Sequence, residues 1–185
     1  MPLAADQQVV STTAGYGHLF RAPYDAWTPD QLLRHFQTRT SVQYFPVVDA
    51  VETAREKIEN ILNDRFEFNQ ESHTAPSPIQ WTENPSHDRE WLILLHKFYY
   101  AVGLGMAYHE TEAPCYAEKW VELTSSWINA VSLDFLPSDV AGRRIQNWIF
   151  AHYYFVTLHQ SACIGPEFYV RLLESLHDQI CYLRE

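Results

Sequence analysis

Trp81-Thr82-Glu83-Asn84-Pro85-Ser86-His87-Asp88-Arg89-Glu90-Trp91 divides the chain in two. Ahead of it the sequence is mixed and rich in turn formers; behind it runs a regular series of helical patterns. Pro85 fixes its own φ and pushes Asn84 out of the helical region, so Asn84-Pro85-Ser86 reads as a turn. Ser86 offers an N-cap oxygen, and acidic Asp88 suits the first turn of a helix. Trp91, Leu94, Leu95, Phe98 and Val102 then recur at helical spacing. The stretch therefore predicts a helix mouth carrying Trp81, Asn84, Arg89, Glu90 and Trp91, with unpaired backbone N–H groups pointing outward. Such a mouth either binds a polar ligand or is a well-capped helix start.

Beyond it the pattern predicts four helices, opening near Asp88, Ala113, Ser138 and Gly165 at intervals of about 25 residues. Ala113-Pro114, Pro137-Ser138 and Gly165-Pro166 supply the turns between them. The near-constant interval reads as antiparallel helical hairpins placed side by side. Upstream, Thr28-Pro29-Asp30 is an N-cap, a Pro at the first helical position and an acid, opening a short helix to Gln37. Val47, Val51, Ala54, Ile58, Ile61 and Leu62 form an apolar stripe and predict a helix over 47–63. Phe66-Glu67-Phe68 alternates as a short extended piece, and 73–78 reads as a loop. Residues 1–27 form an N-terminal arm and 28–185 the helical domain. Without strong strand signals, the fold class is all-α.

With 185 residues, 46% of them hydrophobic and 15% aromatic, one domain buries roughly 70% of its unfolded surface. A net charge of −10 counts against non-specific nucleic-acid binding. It does not count against a locally bound anion, because charges beyond roughly 8 Å are screened and a local arginine cluster dominates its own surroundings. The longest apolar run, Phe98 to Tyr108, falls well short of the roughly 20 residues that span a bilayer, so no membrane partner is expected. Cys115, Cys163 and Cys181 are odd in number and unpaired in spacing, which suggests reduced thiols. Met1 to Val10 has neither a cationic nor an apolar leader region. A removed leader would leave the same picture, so the expected compartment is periplasmic or secreted in that case and cytoplasmic otherwise.

Arg143-Arg144 with Asn147 and Trp148 is the most informative cluster. On a helix Arg144 and Trp148 share one face, and Arg143 and Asn147 the next. An indole plate, guanidinium groups and an amide suit a sugar ring, its acid groups and its hydroxyls. The plainer reading makes Trp148 and Ile145 core and pairs the arginines with acids such as Asp139. Trp81 and Trp91 divide likewise between sugar platforms and core, and Tyr153 and Tyr154 between groove and bundle. His109-Glu110 begins like a zinc-protease helix, but Ala113 stands where the second histidine belongs. No metal and no cofactor is expected. Gly103-Leu104-Gly105 falls within a helix and is no dinucleotide loop.

Several dispersed motifs resemble the N-terminal domain of the heparinase II/III family of polysaccharide lyases, in order and at matching spacing from about Phe66 onward. They are Ile79-Gln80-Trp81, Asn84-Pro85, Asp88-Arg89-Glu90-Trp91, Tyr99, Leu104, Ala107-Tyr108, Tyr116-Ala117-Glu118-Lys119-Trp120, Trp127-Ile128 and Ala141 to Ile149. The resemblance implies a partial (α/α) toroid of helical hairpins; a full one has about a dozen helices, against six predicted here. It implies an anionic, uronic-acid polysaccharide as the partner of the full-length protein, cleaved by β-elimination. It also inclines the balance towards a groove role for one arginine and Asn147. The family's neutralising Asn or His, its Tyr and its His have no counterparts in this chain, so no catalytic residue is assigned and the segment alone is expected to be inactive. Leu133 to Asp139 depart from the family pattern, lacking its Trp and displacing its acid. A half-ring further predicts exposed apolar edges and self-association. The alternative is a non-catalytic helical module that binds glycan or protein.

Overall fold

The computed structural model describes residues 16–39 and 41–184. Most of the predicted arm, residues 1–15, thus lies outside the described residues. Its remainder carries a single 3₁₀ turn at Tyr24–Ala26, and Tyr16, Phe20 and Trp27 pack on the core. Helix α1 (Pro29–Gln37) starts as the sequence predicts. The Thr28 hydroxyl accepts from Gln31 N, and the Gln31 side chain accepts from Thr28 N, which closes a capping box.

The helix predicted over 47–63 is much shorter. Helix α2 spans Arg55–Ile61 only. Asp49 Oδ1 accepts from Val51 N and Glu52 N, a local turn that competes with helical pairing, and Ala54 is extended at ψ 134°. Val47 and Val51, expected on the buried stripe, are 61% and 65% exposed; Ile58 and Ile61 do pack inside.

Strands β1 (Arg65–Phe68) and β2 (Glu71–Thr74) form an antiparallel hairpin with Phe68 opposite Glu71. The first matches the alternating Phe66-Glu67-Phe68; the second takes His73 and Thr74 out of the predicted loop. Asn69 and Gln70 make its two-residue turn at φ 51° and 65°, a type I′ geometry whose twist suits a hairpin. The hairpin lays Phe66 and Phe68 against Tyr100 and Trp91.

The long helix predicted from Asp88 is two. Helix α3 (Arg89–Lys97) stops at Phe98, which sits at φ 58° and ψ 34°, and α4 (Tyr99–Thr111) begins directly after it. Left-handed backbone at a bulky residue costs roughly 1–2 kcal/mol. Burial of the Phe98 ring offsets it: the ring stacks on Trp81 at 5.5 Å and meets Trp148 edge-on at 5.4 Å. Gly103 and Gly105 lie within α4, as read from the sequence. A Cβ on Gly103 would come within 2.3 Å of Ile58, and one on Gly105 within 2.7 Å of Tyr154, so both glycines permit close helix approach.

Helix α5 (Pro114–Ala130), α6 (Ser138–His152) and α7 (Pro166–Tyr182) open at the three predicted turns. A π-helical segment, Tyr153–Leu158, continues α6. Helix α4 lies against α5 and α6, and α7 against α1, α5 and α6. The core is strongly aromatic: Trp81, Trp120, Trp127, Trp148, Tyr100 and Tyr169 are all almost fully buried. Among the described residues no helix is long and apolar enough to cross a membrane.

Candidate functional site

Five of the nine sequence-predicted contact residues lie inside the bundle. Arg144, Asn147, Trp148, Trp81 and Trp91 are each no more than 2% exposed, so direct contact with a polymer, expected above, is closed to them. The cause is the break at Phe98. Ending α3 early strips the carbonyls of Leu95, His96 and Lys97 of helical partners. Tyr100 donates its hydroxyl to Leu95 O at 3.0 Å, Arg144 donates Nη1–H to His96 O at 3.3 Å, and Asn147 donates Nδ2–H to Lys97 O at 2.7 Å. Helix α6 thus supplies a side-chain cap for the C-terminus of α3, and the guanidinium charge meets the negative end of that helix.

The rest of the Arg144 side chain is equally engaged. Nε–H donates to Gln179 Oε1 at 2.7 Å, and the guanidinium carbon lies 3.9 Å from the Trp127 ring centroid. Burial lowers its pKa to about 9, which leaves it charged at neutral pH. Beside it, His96 accepts from Trp127 Nε1–H at Nδ1 and donates from Nε2 to Trp81 O, an arrangement that requires the neutral Nε2–H tautomer. Burial, aided by the Arg144 charge, brings the His96 pKa down to about 4. Nothing in the sequence reading picked out His96 or Gln179, and Phe98 entered it only as one position of an unbroken apolar stripe. A signal was present, since His96 interrupts the apolar run between Leu95 and Phe98.

The other four candidates are accessible, and three of them serve local structure. The α3 mouth closes on itself: Asp88, not Ser86, is the N-cap and accepts from Glu90 N, while Ser86 Oγ accepts from Asp88 N. Asn84 forms the turn beneath, accepting from Ser86 N and donating to Asp88 O. Glu90 pairs with Lys97 at 3.3 Å, and Arg143 donates to Gln146 with its guanidinium 5.8 Å from the Tyr99 ring. Arg89 is exposed and has no side-chain partner among the described residues.

Clefts separate by size and charge. The one beside Trp91 and Asn84 holds about 120 Å³, below the roughly 300–1,000 Å³ of ligand sites. Near it Ser86 donates to Glu71, whose other oxygen meets His73 Nε2 at 2.6 Å, and these two hydrogen bonds hold the Glu71 pKa low. A second cleft, of about 300 Å³, carries Arg171 together with Glu174 and Asp178 on its walls, a net negative lining. Two wider clefts flank α1 with no carboxylate on their walls. His109 Nδ1 meets His159 Nε2 at 2.7 Å, but no third metal-ligand type joins them among the described residues.

Solved structures share this architecture. Heparan sulfate lyase HepC from Pedobacter heparinus superposes with a TM-score of 0.69 at 22% identity, over 86% of this chain and 28% of that one. A heparinase III with methylated lysines gives 0.72 at 19% identity, over 83% of this chain and 28% of that one. The present chain therefore spans under a third of the length of these proteins, and its fold is a partial (α/α) toroid of the all-α class. No curated protein matches the sequence. The family described as Heparinase II/III N-terminus matches residues 22–185, nearly all of the chain. The chain thus belongs to the heparinase II/III N-terminal family.

Proposed function

We propose that this chain is the helical, substrate-facing part of a polysaccharide lyase that cleaves a uronic-acid-containing polymer by β-elimination. The observation that carries the reading is the family match over 22–185. In such a reaction a base removes the proton next to the sugar carboxylate, and the 4-linked oxygen leaves. The carboxylate must first be neutralised by a donor, or that proton stays too weakly acidic. We assign none of these steps to the present residues, whose contribution is binding and shape. Arg89, Arg143, Asn84 and Glu90 stay at the surface and remain candidates for polymer contact; Arg144, Asn147, Trp148, Trp81 and Trp91 act from behind, by holding the helices in place.

The test is formation of the unsaturated uronate product, followed by its ultraviolet absorbance, from heparan sulfate, hyaluronan and alginate. The chain alone should release none, and the full gene product should release it from at least one polymer. Product from the chain alone overturns the division of labour; no product from the full gene product overturns the lyase reading.

A second reading, a non-catalytic interaction module, is favoured by one feature. Phe45, Val47, Val48 and Val51 form an exposed apolar run, with Phe45 85% accessible. The same run is the surface through which two copies would associate.

A further inference from the structure

Helix α1 and its flanks bring exposed arginines together with aromatic rings on clefts whose walls carry no carboxylate. All three lysines are held by carboxylates: Lys57 by Glu52 and Glu67, Lys97 by Glu90, and Lys119 by Asp64 and Glu122. Arg55 is held by Glu59 and Glu110. On α1 and just past its end, Arg34 and Arg39 are exposed. Among the described residues no carboxylate comes within salt-bridge distance of either.

The two arginines stand over separate clefts with His35 as the shared wall. Arg34 lines one of about 330 Å³ and Arg39 one of about 470 Å³, both within the roughly 300–1,000 Å³ of ligand sites. Aromatic rings complete the walls. Tyr24 and Trp27 meet edge to face at 4.8 Å, and each lies within 5.3 Å of the His35 ring. Phe36 is anchored beneath by His152 and Tyr169, with centroids at 6.0 and 5.8 Å, which ties the surface to α6 and α7. Arg34 and His35 also complement the negative end of α1. That role does not account for the accessible rings or for Arg39 beyond the helix end, whose guanidinium lies 6.0 Å over Phe36.

Planar guanidinium groups match carboxylate and sulfate geometry, and aromatic faces match the C–H faces of sugar rings. We infer that this face of α1 is a subsite for an acidic oligosaccharide, with Arg34 and Arg39 holding anionic groups on either side of His35 and with Tyr24 and Trp27 stacking on a sugar ring. The inference rests on the polysaccharide reading above and gives it a location that no motif of the sequence marked.

Calorimetric titration of the chain with a heparan sulfate hexasaccharide, a hyaluronan hexasaccharide and a neutral cello-oligosaccharide tests it. The wild type should bind the acidic sugars and not the neutral one. The double variant Arg34→Ala/Arg39→Ala should lose at least tenfold in affinity with an unchanged melting temperature, and Trp27→Ala should weaken binding as well. Arg65→Ala, which removes an exposed arginine on the β-hairpin, should leave affinity unchanged. Preference for heparan sulfate would assign the arginines to sulfate, and equal affinity for hyaluronan to carboxylate. Full affinity in the double variant, equal binding of the neutral sugar, or no binding by the wild type would each overturn the subsite. The lyase reading is judged separately, by the unsaturated product.

Discussion

Arg144 and Asn147 stand three residues apart on α6 and reach the carbonyls of His96 and Lys97, consecutive residues at the end of α3. Lysine at 144 would keep the charge but lose the planar contact with Trp127 and at least one of two directed hydrogen bonds. Arg144→Lys should therefore lower stability by about 2–3 kcal/mol, read as the urea midpoint. An unchanged midpoint would refute the capping role. The same interior sets an acid limit. His96 and His152 are both brought to about 4, chiefly by burial, against about 6.5 in an unfolded chain. The unfolded state therefore binds more protons between these values, so stability is full above pH 6.5 and falls as pH drops towards 4. Each histidine accounts for up to about 3 kcal/mol by the lower end. A melting temperature that is flat from pH 7 to pH 4.5 would contradict this. The sequence showed the right residue types at the right helical phase here. It could not show depth, because what lies opposite Arg144 is a helix end that exists only through the break at Phe98.

At the scale of elements, starts were legible and interruptions were not. Thr28, Ala113-Pro114, Pro137-Ser138 and Gly165-Pro166 carry their own turn and cap chemistry, and α1, α5, α6 and α7 open where they stand. The break at Phe98 has no Gly or Pro to announce it, and the apolar stripe runs straight through. The Asp49 turn overrode an apolar stripe for a similarly local reason. Two substitutions of opposite sign probe these elements. Gly103→Ala gains about 1 kcal/mol of helix propensity but drives a methyl into Ile58, and overpacking costs about 1–3 kcal/mol. A net loss of about 1 kcal/mol is expected in denaturant titration. Gln70→Gly should instead stabilise by about 1 kcal/mol, because glycine accepts the φ of 65° found there. A gain from the first or a loss from the second would count against the described backbone.

For the whole molecule, two surface features among the described residues bear on binding: the arginines and rings on and beside α1, and the apolar run Phe45 to Val51. The second should produce concentration-dependent association, measured by light scattering. Phe45→Ser/Val47→Ser should abolish it without altering the melting temperature; a wild type that stays monomeric at high concentration would exclude that run as an interface. The first is where an acidic glycan should meet the chain, while the arginine of α6 works from the interior. Proton–nitrogen NMR of the arginine Nε–H groups, titrated with a heparan sulfate oligosaccharide, tests both halves of this account at once. The predicted result is a slowly exchanging Arg144 signal that does not move, with Arg34 and Arg39 signals that exchange fast and shift as sugar is added. A shifting Arg144 signal beside unmoved Arg34 and Arg39 signals would contradict it.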